Sequence, residues 1–281
     1  MSVPDRMILL LTTPLVLLVV LVSMAGLYIP DFYAKETVNW AVQSRGQDFA
    51  DLFLVTPVLL CSAWFAYKGY HAGFLVWTGV LIYLVYTFLL YCFDVHFNML
   101  FPLYTATLGL SFYALVYSVY RAFQEKMRPP HIDKRLSKVT GIYLIGLAAL
   151  FYMLWLSEIV PAVLAGTVPQ NVMDTGLPTN GVQVIDLAVF LPGMFIAGLL
   201  LLRQHSIGYL LAPPFLTFFV LMDFTIAGLT LSLKMQGLGG STVVAIGMIG
   251  MAVLSLVLLM LHIRLWNVHQ HATFLSPIPG R

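Results

Sequence analysis

Asp51-Leu-Phe-Leu-Val-Thr-Pro57 opens one hydrophobic run, and Asp186-Leu-Ala-Val-Phe-Leu-Pro192 opens another at an offset of 135 residues. The register then holds without a gap: Lys68 falls over Arg203, Gly73-Phe-Leu75 over Gly208-Tyr-Leu210, Leu81 over Leu216 and Val85 over Val220. Apolar runs match one another by chance. A basic residue at the same turn between the same two runs does not follow from hydrophobicity, and the pattern reads as a duplication.

The solvent of this chain is lipid. At 60% apolar and 9% charged residues over 281 positions, with a mean hydropathy of +0.91, polar side chains are too few to cover a water-exposed globule. Runs of about 20 apolar residues span a hydrocarbon core of roughly 30 Å, and eight are legible: 7–29, 51–67, 74–93, 99–120, 139–158, 184–202, 207–232 and 241–263. Backbone groups in lipid must be paired within their own segment, so these runs are helices. The first is read as a spanning helix, because no small-residue cleavage site follows it.

Lys and Arg set the orientation. Arg121, Lys126, Arg128, Lys134, Arg135 and Lys138, with Arg6, Lys68, Arg203, Arg264 and Arg281, fall on one side of an eight-helix arrangement. That side is expected to be cytoplasmic, with both termini on it. The net charge of +2 reflects insertion and points to no nucleic-acid partner. The expected fold is therefore all-α, a polytopic bundle of eight transmembrane helices built as two parallel four-helix repeats. The division is 1–120 for the first repeat, 121–138 for a basic cytoplasmic linker and 139–281 for the second repeat with its tail. An ancestor of four helices has both ends on one side, so its fused copies share a topology and are related about the membrane normal.

The two long loops opposite the basic side, 30–50 and 159–183, occupy the same place in each half and are expected to form a lid. The first suits a short interfacial helix; Pro161, Gly166, Pro169, Gly176, Pro178 and Gly181 break up the second. Gly193, Ala197, Gly247 and Gly250 are expected at close helix approaches. Cys61 and Cys92 have no ligand or redox spacing and read as packing residues. His262, His269, His271, Arg264 and Trp266 read as an interfacial tail.

Acidic groups are the informative minority, since a carboxylate inside a bilayer is costly and faces the protein interior or water. Of the twelve, Asp223 lies deepest, about 24 Å along its helix at the helical rise, and is the candidate general acid or coupling group, with Glu158, Asp94 or His96 as the base that partners it. Asp51, Asp186 and Asp94 sit near the outer boundary. For Asp51 and Asp186 a helix N-terminal cap is the competing reading. Asp94-Val-His-Phe-Asn98 supplies His96, and Asp94 with His96 are the candidate metal ligands, although no dense ligand spacing supports them. Tyr83 and Tyr86 share a helix face and suit hydrogen bonds to buried acids. Asn180 completes the binding set. No cofactor is indicated: paired mid-span histidines for haem, a mid-span lysine for retinal, and nucleotide-binding motifs are all missing from the sequence.

The outer motifs Trp155-Leu-Ser-Glu-Ile-Val-Pro161, Gly176-Leu-Pro-Thr-Asn180, Val184-Ile-Asp-Leu-Ala-Val-Phe-Leu-Pro192 and Asp94-Val-His-Phe-Asn98 resemble those of uncharacterised bacterial multi-pass membrane proteins. The resemblance implies a bacterial plasma membrane location and no particular activity. Three functions compete. An acidic outer pocket suits binding or transport of a small cation, amine or metal ion. One-sided polarity suits an intramembrane enzyme doing acid–base chemistry on a lipid or isoprenoid. The third is a non-catalytic assembly or sensory subunit. Transport needs a polar route to both surfaces, whereas an enzyme can be sealed beneath Asp223.

Overall fold

The computed structural model describes residues 5–127 and 133–275, with side chains of the last helix described as far as Trp266. The middle of the expected linker (128–132) and the side chains of His269 and His271 lie outside the described residues. All regular structure among the described residues is helical. The main helices are α1 (Arg6–Tyr28), α2 (Val38–Tyr67), α3 (His71–Phe93), α4 (Phe101–Gln124), α5 (Lys134–Ala165), α6 (Gln170–Thr175), α7 (Gly181–Leu202), α8 (Ser206–Met235) and α9 (Thr242–Leu275). Seven of them, all but α4 and α6, are long and apolar enough to cross a membrane. The protein is a multi-pass membrane helix bundle. Helix α4 has 24 residues but carries Tyr104, Tyr113, Tyr117 and Tyr120 among Ser and Thr, which lowers its hydropathy.

Two expected boundaries move. The 30–50 segment is not an interfacial helix, because Thr37 caps a helix at Trp40 N–H (3.2 Å) that runs on to Tyr67. Its polar first part packs on α1 and α8, and Gly46 lies where a side chain would overlap Leu229. Likewise α5 continues through Pro161 to Ala165 and ends on Gly166, whose φ of 64° closes the helix in the left-handed region. Asp51 and Asp186 therefore do not begin helices, and the capping reading fails for both. Each instead opens a π-turn inside a continuous helix, Asp51–Val55 in α2 and Asp186–Phe190 in α7. The following prolines, Pro57 and Pro192, explain the position: proline crowds the carbonyl one turn back, and a widened turn relieves it.

Helix pairing places α3 against α8 at the centre. α1 packs on α2 and α4, and α3 on α2 and α4; on the other side α7 lies between α5 and α8, and α9 lies along α8. Close approaches occur at Gly79, whose Cβ would stand 2.6 Å from Pro214 O, and where Gly141 and Gly198 cross. At Gly198 an added Cβ would meet Gly141 O at 2.8 Å. Gly247 and Gly250, expected at such contacts, have open space instead.

One end of the bundle is basic. There Arg121 pairs with Asp5 (2.8 Å) and with Glu125, Tyr117 donates to Asp5 (2.7 Å), and Ser137 donates to Tyr209 (3.2 Å). His262 and Trp266 are not a loose tail: both are buried, His262 against Thr140 (3.1 Å) and Trp266 edge-on to His71. The opposite end carries the acids.

Overpacking a tight crossing costs about 1–3 kcal/mol. Gly198→Leu is expected to lower the unfolding temperature of the solubilised protein by several degrees, while Gly250→Leu leaves it unchanged. Thermal melts of the two variants check the contrast.

Candidate functional site

The acid-rich end is organised by carboxylates satisfied through neutral donors. Asp48, fully buried, accepts from Tyr33 (2.7 Å) and Tyr91 (2.6 Å), and Gly26 on α1 is bare because any side chain there would overlap this carboxylate. Asp51, one helical turn later and also fully buried, accepts from Gln47 Nε2 at 2.9 Å. Gln47 also donates to Tyr83 Oη (2.7 Å), which stands 3.1 Å from Thr225 Oγ1 on α8. The second oxygen of Asp51 has no partner.

A cavity of about 540 Å³ opens beside this cluster, enclosed by α2, α3, α5, α7, α8 and α9 and covered by the α6 loop. Five of the sequence-derived residues line it: Asp223, Glu158, Asp186, Tyr86 and Asn180. Asp186 accepts from Tyr86 (3.1 Å) and from Trp155 Nε1 (2.9 Å). Glu158 accepts from Asn171 (2.7 Å) and Gln183 (3.1 Å). Asp223 differs from both: it is 1% exposed, and its Oδ2 has no hydrogen-bond partner. Three acids line the cavity, with no Lys, Arg or His.

The other candidates stand apart. Asp51 and Tyr83 lie behind the wall and reach the cavity only through Gln47, which lines it. Asp94 holds the roof: its carboxylate accepts from Gly181 N–H (3.1 Å) and its carbonyl from Trp40 Nε1 (2.7 Å). Thr37 adds a bond to Asp174 O (3.1 Å), so the two long loops meet. His96 lies outside. Half-exposed, it pairs with Glu36 at 2.8 Å. With Asp94 turned to Gly181 and His96 to Glu36, the two do not form a metal site, and no group of three or more His, Cys, Asp or Glu among the described residues is placed to hold one.

The cavity has a floor. Phe190 and Phe218 lie 4.7 Å apart with Tyr86 edge-on to Phe190 at 4.9 Å, and Phe219 packs against Phe218 at 5.2 Å. Beneath them Leu216, Ala212, Met194 and Leu144 are fully buried. Polar groups continue toward the basic end between α5 and α9, where Tyr143 meets Ser255 (2.7 Å) and Thr140 meets His262 (3.1 Å), but none of these four lines the cavity.

Sequence reasoning missed Asp48, Gln47, Asn171 and Gln183 as members of this network. The signal for the first two was present: Gln47, Asp48 and Asp51 share one face at helical spacing, and are seen together only if the helix is carried through residues 38–50. Asn171 lies on the short α6 and Gln183 in the first turn of α7, both within the 159–183 stretch whose path the sequence does not define.

No protein-family model, curated protein or solved structure matches the chain.

Two tests follow from the geometry. Tyr91→Phe leaves one buried Asp48 oxygen without its donor and is expected to destabilise the fold by about 1–3 kcal/mol, measured by chemical unfolding. Burial pushes the Asp94 carboxyl up to about 6, against the lowering effect of the Gly181 N–H. The folded state therefore holds a proton more tightly than the unfolded chain, and this stabilisation, complete below about pH 4, disappears as pH rises through about 6. The unfolding temperature of Asp94→Asn relative to the unmodified protein should thus climb from pH 4 to pH 7; a flat difference would refute the assignment.

Proposed function

We propose that the protein binds a small organic cation, an amine with an apolar body, in the chamber above Asp223. The observation that carries this reading is a buried carboxylate oxygen without a partner, set in an apolar cavity that contains no positive side chain. An ionised carboxylate placed so is stable only when a cation or strong donor joins it. The chamber volume is that of a small-molecule site, with aromatic walls and few polar groups. Trp155 and Trp40 on the wall suit an ammonium group as well as an apolar body. Metal ions fit poorly, because the three lining acids are separately engaged or unassisted. The aromatic floor favours binding, or one-sided exchange, over passage through the bundle.

A second reading is favoured by one specific contrast. Glu158 is held by two amide donors near the mouth, while Asp223 stands unassisted at the base of the same chamber. Two carboxyl groups in unlike surroundings suit general acid–base chemistry on a lipid or isoprenoid.

The architecture behind the chamber is read as two four-helix repeats with eight spans. The π-turns fall at equivalent positions, Asp51 and Asp186, and the α2–α3 packing has its counterpart in α7–α8. Helix α4 begins near the acidic end, where Tyr104 meets Asn98 (3.2 Å), and ends beside the start of α1 through the Arg121–Asp5 pair. A helix that runs alongside α1 between the two ends supports α4 as the eighth span. The basic end is then cytoplasmic in a bacterial plasma membrane, and the chamber faces outward.

Benzylamine and benzyl alcohol, titrated against the full chain in nanodiscs, test the binding reading. The amine is expected to bind at least tenfold more tightly, equivalent to about 1.4 kcal/mol, and Asp223→Asn to erase the difference. Equal affinities in the unmodified protein would refute it.

A further inference from the structure

The chamber has a side opening. Helices α5 and α9 are joined near the basic end by Thr140 to His262 (3.1 Å) and by Tyr143 to Ser255 (2.7 Å). Toward the acidic end no hydrogen bond links them among the described residues, and the cavity wall there includes Leu154 on α5 and Val244 on α9. These two side chains line the chamber and yet are 45% and 49% exposed. A residue that faces both a cavity and the outside marks the edge of an opening. The outside at that level of two spanning helices is lipid, and the edge is apolar. Among the residues that line the cavity these two alone are exposed, so the opening is confined to this flank.

Resting on the amine-binding reading, we propose that the ligand is a membrane-resident, single-chain amphiphile bearing an amine, which enters sideways between α5 and α9. Its ammonium group sits on Asp223, its first carbons lie against Phe219, Met222 and Met248, and its remaining chain passes between Leu154 and Val244 into the outer leaflet. Three features favour this occupant over a water-borne one. The roof loops are tied to one another by Thr37, Trp40, Asp94 and Gly181. The walls are chiefly hydrocarbon and aromatic, so an alkyl chain gains from burial along them. The carboxylate lies at the blind end, where a headgroup leading a chain inward would arrive.

Octadecylamine carrying a mid-chain diazirine tests the proposal in phosphatidylcholine nanodiscs with the full-length protein, beside the matching octadecanol probe. After irradiation, peptide mapping reads the attachment sites. Labelling of α5 and α9 residues at the opening is expected to be at least tenfold higher for the amine than for the alcohol. Asp223→Asn should bring it down to the alcohol level, while labelling at lipid-facing Trp64 and Phe65 stays constant. Leu154→Trp with Val244→Trp should cut chamber labelling at least fivefold and leave labelling at Trp64 and Phe65 unchanged. Leu154→Phe with Val244→Phe is the milder pair if the first does not fold. Undiminished chamber labelling in a folded, plugged variant overturns lateral entry. Amine and alcohol probes labelling alike, with benzylamine still bound through Asp223, overturns the lipid-borne ligand but keeps the amine site. Loss of Asp223-dependent benzylamine binding as well would overturn both.

Discussion

A carboxylate carried into a membrane bundle has to be satisfied from within, and the acid-rich end of this structure is built around that requirement. Cations are not the means. Tyrosine hydroxyls, a tryptophan indole, glutamine and asparagine amides and one backbone N–H supply the donors for Asp48, Asp186, Glu158 and Asp94. Neutral donors lower the cost of burial without adding a second desolvated charge. They also tie helices to one another: Asp48 joins the α1–α2 connection to α3, and Asp186 joins α7 to α3 and α5. Asp51 also leaves one oxygen bare, but it lies behind the cavity wall with its other oxygen held by Gln47; the unassisted oxygen of Asp223 belongs to a residue that lines the cavity, a group the protein leaves for something else.

The π-turns belong to the same constraint. A proline inside a spanning helix frees a carbonyl that lipid cannot hydrate, and a π-turn immediately before it lets the helix pass with its backbone paired. In α2 the Thr56 hydroxyl adds a bond to Asp51 O at 2.8 Å. The extra residue also turns the face of the helix, so that Asp51 points inward from a segment whose next turn is apolar. One local device thus accommodates the proline and positions an acid in both α2 and α7.

Much of this was legible in the sequence, and the failures have physical causes. Composition and run length fixed the membrane bundle, and the Asp-to-Pro spacing marked the two positions where π-turns form. The start of α2 departs from the expectation because polarity does not mark the limit of this helix: Gln43 and Gln47 are polar because they line the cavity and Asp48 because it is buried among tyrosine donors, not because the chain leaves the membrane. Gly247 and Gly250 look like packing residues on composition, yet both have open space, whereas Gly26, Gly46, Gly79, Gly141 and Gly198 each have a neighbour close enough to need a bare backbone. His96 is near the acids in sequence, but Glu36, sixty residues away, holds it at the surface. Contacts between distant loops decide such questions, and no local pattern encodes them.

On the duplication proposed above, the two halves began alike, and their present difference can be followed residue by residue. At the common offset, Asp48 corresponds to Gln183, Tyr91 to Ile226, Tyr83 to Phe218 and Phe88 to Asp223. In the first half the acid is sealed: Tyr33 and Tyr91 cover Asp48, the Phe88 ring stacks on Tyr91 at 5.2 Å, and α1 closes against α4. In the second half an aliphatic side chain replaces the covering tyrosine, a phenylalanine replaces the tyrosine that bridges to Thr225, and the carboxylate moves to a position where its twin has a ring. Each exchange removes an internal donor or filler and leaves space. Their sum is a cavity with an acid at its base, on the flank where α5 and α9 part. A structural acid needs its donors built in, as Asp48 has them. Asp223 has no such provision, which is the arrangement expected where the missing partner is a ligand.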